Sequence, residues 1–201
     1  FAVLGGLAAF GIGNMAQANS VATGLEQFHI PRVFTGVFLI LAVGLVTVGG
    51  LKRIAHVAVF CVPFMCIVYF VGAVTLVLLN IDRLPETLIL IFKSAFTPVA
   101  ATGGFAGAGF KKAIRWGIAR GVFSNEAGLG SAPMAHATAQ TDHPVRQGLW
   151  GVFEVFIDTI VICSVTALAI LVTGVWTSGS TGAVLTMEAF QTVFGTKIGF
   201  S

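Results

Sequence analysis

Charge is what this chain has least of. Only 9% of its 201 residues are Asp, Glu, Lys or Arg, against 56% hydrophobic, where a soluble domain carries about a quarter charged. That is too little charge to solvate a globular surface, and the mean hydropathy of +0.96 leaves an integral membrane protein. The net charge is a small +3 with no basic surface interleaved with aromatics, which argues against a nucleic-acid partner. Metal-ligand spacing is missing as well. H-E-x-x-H is absent, Glu126 and His136 have no third ligand near them, and Cys61, Cys66 and Cys163 all lie inside apolar runs. Those cysteines are expected to be small buried apolar residues that say nothing of redox compartment. The weak alternation of a β-barrel is lacking too; apolar runs of about 20 residues argue helices. The sequence has no initiator methionine and opens inside the run Phe1-Ala2-Val3-Leu4, so that no signal peptide is visible in it says nothing of the whole protein. The chain is expected to be truncated at both ends.

What is there turns on Phe96 to Phe110, FTPVAATGGFAGAGF, an apolar run that carries Pro98, Gly103, Gly104, Gly107 and Gly109. Inside a helix glycine costs about 1 kcal/mol relative to alanine and proline about 3. The spacing predicts a helix that opens near Thr102-Gly103-Gly104, as in transporters that bind solutes on unwound mid-membrane backbone. Close packing of helices on glycine is the other reading.

The first span is expected over residues 1 to about 24. Gly6, Gly13, Gln17, Ser20 and Gly24 share one narrow stripe, with Asn14 at its edge. Gln17 on that stripe suits either a polar cavity wall or helix–helix glue. Pro31 opens a second span that ends at Gly49-Gly50. Lys52, Arg53 and His56 form a basic turn into a third span, Val57 to Leu79, with Pro63 inside it. Asn80 to Glu86 turns into a short apolar helix, Thr87 to about Ala95. After the broken span comes a basic stretch with Lys111, Lys112, Arg115, Trp116 and Arg120, read as a headgroup-facing end.

Residues 121–136, GVFSNEAGLGSAPMAH, are too polar and glycine-rich for a plain membrane helix. A compact loop with short helices is expected, one of them starting at Ser131 ahead of Pro133. Asp142-His143-Pro144 caps a span from Val145 to Trp176 that carries Glu154 and Asp158 at i, i+4. Carboxylates at membrane depth are costly and mark function or ion pairing. Coordination of a cation, a proton relay, and pairing with Arg115 or Arg120 all remain open here. A loop over 174–182 and a last short helix over 183–194 complete the chain. Counting five full spans, the excess of Lys and Arg puts residues 51–56 and 111–147 on the cytoplasmic side.

The wording of four runs resembles the alanine or glycine:cation symporter family, the bacterial sodium:alanine symporters. They are GIGNMAQANSVA at 11–22, GGFAGAGF at 103–110, RGVFSNEAGLGSAPMAHATAQTDHPVRQG at 120–148 and EVFIDTIVICSVTALAILVTGVW at 154–176. The resemblance implies an all-α polytopic membrane protein, residues 1–201 forming part of a leucine-transporter-type inverted-repeat fold. The spans would be its third to seventh core helices, with the break near Thr102 to Gly107 in the sixth. A second placement puts the unwound segment in SNEAGLGS, with Ser124 and Asn125 facing substrate. Asn14 and Gln17 would fall in the third core helix, which lines the cavity of that fold. The family's broken first helix, with its G-T-G-N-like motif, and the helices after the seventh are not in this stretch.

By that resemblance the function is sodium-coupled symport of alanine or glycine by alternating access in the bacterial inner membrane. No enzymatic activity is implied, and no cofactor beyond sodium as coupling ion. N–H groups at Gly103, Gly104 and Phe105 would meet the substrate carboxylate, with Gly107 in the same break. Thr102 and Asp158 would face sodium, and Phe105 would close over a side chain no larger than a methyl. The competing classes are an intramembrane enzyme using Ser124, Glu126 and His136, a proton-coupled carrier of the same fold, and a passive channel or structural subunit.

Overall fold

The computed structural model describes residues 2–11, 14–96, 115, 117–119, 121, 124–126, 128 and 130–195. Every regular element among them is helical. In chain order these are α1 (Ala2–Ala9), α2 (Met15–Glu26), α3 (Arg32–Thr47), α4 (Gly50–Leu79), a 3-10 turn (Ile81–Arg83), α5 (Leu84–Phe96) and α6 (Ser131–His136). Then come α7 (Pro144–Phe156), a π-helical segment (Ile157–Ile162), α8 (Cys163–Thr173), a second 3-10 turn (Val175–Thr177), α9 (Ala183–Phe190) and a π turn (Gln191–Gly195).

Among the described residues two helices have the length and apolarity to cross a membrane, α4 and the continuous Pro144–Thr173, each of 30 residues. At 1.5 Å per residue each is about 45 Å long, more than the hydrocarbon core of about 30 Å. The segment Arg32–Thr47 is a shorter apolar helix. Pro63 lies inside α4 as its position predicts.

Three expectations need correcting. The first span is not one helix: α1 ends at Ala9 and α2 starts at Met15, with Phe10, Gly11 and Asn14 in turns between them. The basic residues Lys52, Arg53 and His56 are not a turn but the first turns of α4, which starts at Gly50. The cysteines are not buried. All three are exposed, because on a chain of this composition an apolar run marks a lipid-facing surface as readily as a core. The expected break at 102–107 and the basic residues Lys111, Lys112 and Arg120 lie outside the described residues.

The chain divides into two compact units, residues 1–72 with 174–201, and residues 73–173. In the first, α2 and α3 form a hairpin whose turn is tied by Arg32, which donates to both carboxylate oxygens of Glu26 at 2.7 and 2.8 Å. That pairing holds the Glu26 carboxyl below its usual range. Residue His29 in the turn has a φ of +62°, and Pro31 starts α3 from an extended conformation. Helix α9 docks on the pair. A Cβ on Gly24 would sit 3.4 Å from Met187 Sδ, and Gln191 donates to Gln27 Oε1 at 2.7 Å. The Phe190 ring packs between Tyr69 and Phe194 and leaves room for no side chain at position 72, where a Cβ would come 2.9 Å from it.

In the second unit the small residues Ala73 and Ala169 are buried with Leu76 and Val172. Asn80 Nδ2 donates to the Leu76 carbonyl at 2.9 Å, closing the end of α4. The start of α7 follows its sequence: Val145 N–H donates to His143 Nδ1 at 3.2 Å, with Pro144 in the first turn.

Replacing Gly72 by Leu is expected to push α9 away and destabilise the full-length protein by about 1–3 kcal/mol. Gly36→Ala, inside α3 with nothing within 4 Å of the new methyl, does not destabilise and adds up to about 1 kcal/mol. Melting curves of the detergent-solubilised protein followed by intrinsic fluorescence compare the two.

Candidate functional site

Ser124, Asn125, Asp158 and Thr159 of the second unit come together where the helical pair Ser124–Asn125, ahead of a turn that holds Glu126, Gly128 and Gly130, meets the middle of the Pro144–Thr173 helix. The turn cannot continue as a helix, because Glu126 has a φ of +52° and Gly128 and Gly130 have φ of +84° and +88°. For Glu126 this left-handed backbone carries a strain of about 1–3 kcal/mol; the glycines adopt it freely. Ser131 Oγ donates to Glu126 Oε2, bracing the turn against the start of α6.

The helix opposite is irregular at the same level. Five of the six residues in the π segment are β-branched, and such side chains crowd a helical turn. Cys163 N–H donates to the Asp158 carbonyl, five residues back. Wide turns of this kind recur at functional sites. Asp158 and Thr159, both half-buried, project from it.

Two bonds join turn and helix. Ser124 Oγ donates to Asp158 Oδ2 at 2.7 Å, and Asn125 Nδ2 donates to Thr159 Oγ1 at 3.0 Å. Cys163 Sγ lies 3.6 Å from Ser124 Oγ. One turn earlier on the helix, Glu154 Oε2 meets His136 Nε2 at 3.2 Å, and Gln147 Nε2 meets His136 Nδ1 at 2.6 Å. Pro133, His136, Gln147 and Gly151 are among the residues lining an open recess of about 470 Å³ beside this contact. The arrangement brings a carboxylate, two hydroxyls and an amide together beside an apolar helix, a collection that includes hard oxygen donors.

The structure thus brings Ser124, Asn125 and Asp158 together, three residues singled out from sequence. Asn14 and Gln17 are exposed in the other unit, Asn14 preceding α2 with no side-chain bond across the helix end. Thr102, Gly103, Gly104, Phe105 and Gly107 lie outside the described residues. Glu154 pairs with His136 rather than Arg115. Sequence reasoning missed Thr159, Gln147 and Gly151. The signal for Gln147 and Gly151 was present, since they stand seven and three residues before Glu154, on its face of the helix.

The sodium:alanine symporter family profile matches residues 1–200. The chain is 46% identical over 190 residues to the uncharacterized transporter YflA of Bacillus subtilis, covering 92% of this chain and 40% of that protein. It is 42% identical over 196 residues to the sodium/alanine symporter AgcS of Methanococcus maripaludis, covering 95% and 42%. A further relative, the probable sodium/glutamine symporter GlnT of Bacillus subtilis, is 42% identical over 197 residues, covering 97% and 40%. The chain spans about two fifths of the length of these curated relatives. With a profile matching nearly every residue and this identity to several relatives, the chain belongs to the sodium:alanine symporter family.

Proposed function

We propose that the full-length protein takes up a small neutral amino acid together with sodium, by alternating access across the bacterial inner membrane. The observation that carries this reading is the Ser124–Asp158 bond, a hydroxyl and a carboxylate joined on a helix otherwise apolar enough to span a bilayer. A carboxylate there is expensive unless it serves an ion or a partner. Oxygen donors from Asp158, Ser124 and Thr159 suit a hard cation.

Of the two places for the unwound segment, the turn at 124–130 has support in its left-handed residues and in its contact with the π segment. Backbone freed there can meet a solute, as in discontinuous transporter helices. Thr102 to Gly107 rests on its glycines and on the family resemblance, with Thr102 as a sodium ligand and Phe105 over the substrate side chain. Asn14 and Gln17 are the proposed polar rim. A leucine-transporter-type inverted repeat is the fold in which these pieces would work. Alanine is the first substrate to test, since AgcS is named for it; GlnT is named for glutamine, a larger neutral amino acid.

Radiolabelled alanine uptake into proteoliposomes, with and without an inward sodium gradient, is expected to show accumulation only with sodium. Accumulation driven by a pH gradient alone would make Glu154 and Asp158 proton carriers, and equilibration without accumulation would mean a channel. Asp158→Asn is expected to raise half-saturating sodium by about tenfold or more, equivalent to about 1.4 kcal/mol, while Asp82→Asn leaves it unchanged. The two placements separate by mutation. A Ser124→Ala, Asn125→Ala variant that inserts normally but loses uptake, beside a Gly104→Leu variant that keeps it, would put the unwound segment at 124–130; the reverse pattern would put it at 102–107.

A further inference from the structure

Ser124 and Asn125 dock on the Pro144–Thr173 helix. At the end of α6 the imidazole of His136 meets the same helix one turn earlier. The ring lies over Gly151, whose missing Cβ would sit 3.7 Å from Nε2, and it reaches Gln147 on one side and Glu154 on the other. Residues 147, 151 and 154 form one stripe of α7. Gln147 and Glu154 are seven residues apart, about 10 Å along the axis, so a rigid ring bonding both fixes its element along that axis. Gln147 Nε2 and Glu154 Oε2 each lie within hydrogen-bond distance of one ring nitrogen, so both nitrogens of the imidazole have a partner on α7.

This contact adds little stability. Glu154 is 62% and His136 26% exposed, and exposed pairs contribute about 0–1 kcal/mol. What it supplies is register. Since Ser131 is bonded to Glu126, α6 and the turn move together, and a shift at His136 is carried to Ser124. Among the described residues Glu154 is the carboxylate paired with the ring, and the charged residues at the start of α7, Asp142 and Arg146, pair with each other at 3.1 Å.

We propose that His136 is a positioning residue, whose clasp on Gln147, Gly151 and Glu154 holds the 124–136 segment where Ser124 meets Asp158. This rests on the reading of Asp158 as the sodium-facing carboxylate, and the test separates the two. In the full-length protein carrying Cys61→Ser and Cys66→Ser, Ser124→Cys places a thiol beside Cys163, and its cross-linking rate under copper–phenanthroline reports the register. With His136 intact, cross-linking is rapid. His136→Ala slows it by about fivefold or more, and His136→Gln, which keeps a donor for Glu154, restores it to within about twofold. Without the Ser124 substitution, His136→Ala raises half-saturating sodium by about tenfold with the maximal rate within about twofold. Should His136→Ala fail to insert, Glu154→Ala reads the same contact. Unchanged cross-linking in an inserted His136→Ala or Glu154→Ala variant overturns the clasp whatever transport does. Slower cross-linking with unchanged sodium dependence upholds the clasp and removes Asp158 from the sodium site.

Discussion

A carboxylate on a membrane-length apolar helix has to be answered by another polar group, and the second unit is arranged around that constraint. Asp158 and Glu154 stand on the same helix within one turn. Neither meets arginine or lysine among the described residues: Asp158 is met by a serine hydroxyl, Glu154 by an imidazole. Both answers come from the stretch between Ser124 and His136, which is polar in sequence and has left-handed backbone at Glu126, Gly128 and Gly130 ahead of α6. Its irregularity and the helix's two acids satisfy each other. That mutual dependence is a physical reason for so polar a sequence to persist in so apolar a chain.

Much of the architecture was legible in the residues. Pro31, Gly49-Gly50, the Asp142-His143-Pro144 cap and the glycines at 174 and 182 mark boundaries because each has a local backbone consequence that tertiary context rarely overrides. The division of the first span was harder to see. Asn14 reads as the edge of a stripe that continues through Gln17 and Gly24, and one glycine such as Gly11 in an apolar run is tolerated in membrane helices. Exposure was the least legible property. The cysteines show why: in a soluble protein an apolar neighbourhood implies burial, whereas the lipid-facing side of a membrane helix is just as apolar.

At the site, residue types were easier to foresee than partners. Asp158 and Ser124 stood out as costly or unusual at their depth, but they are 34 residues apart in sequence, and nothing local announces the bond between them. The π segment was invisible. Its β-branched residues are ordinary for a membrane span, and the i, i+4 spacing of Glu154 and Asp158 assumed a regular helix between them. The unit holding Asn14 and Gln17 presents them on an exposed surface, so their chemistry depends on what the surrounding protein lays against that face.

The widened turn at Ile157–Ile162 also sets the rotational phase between α7 and α8. Each residue advances a helix by about 100°, and a π turn absorbs an additional one without breaking the rod. The apolar face of α8 is thereby oriented independently of the polar face of α7. A relative with one residue fewer in this stretch would run through it as regular α-helix and still present α8 by the same side.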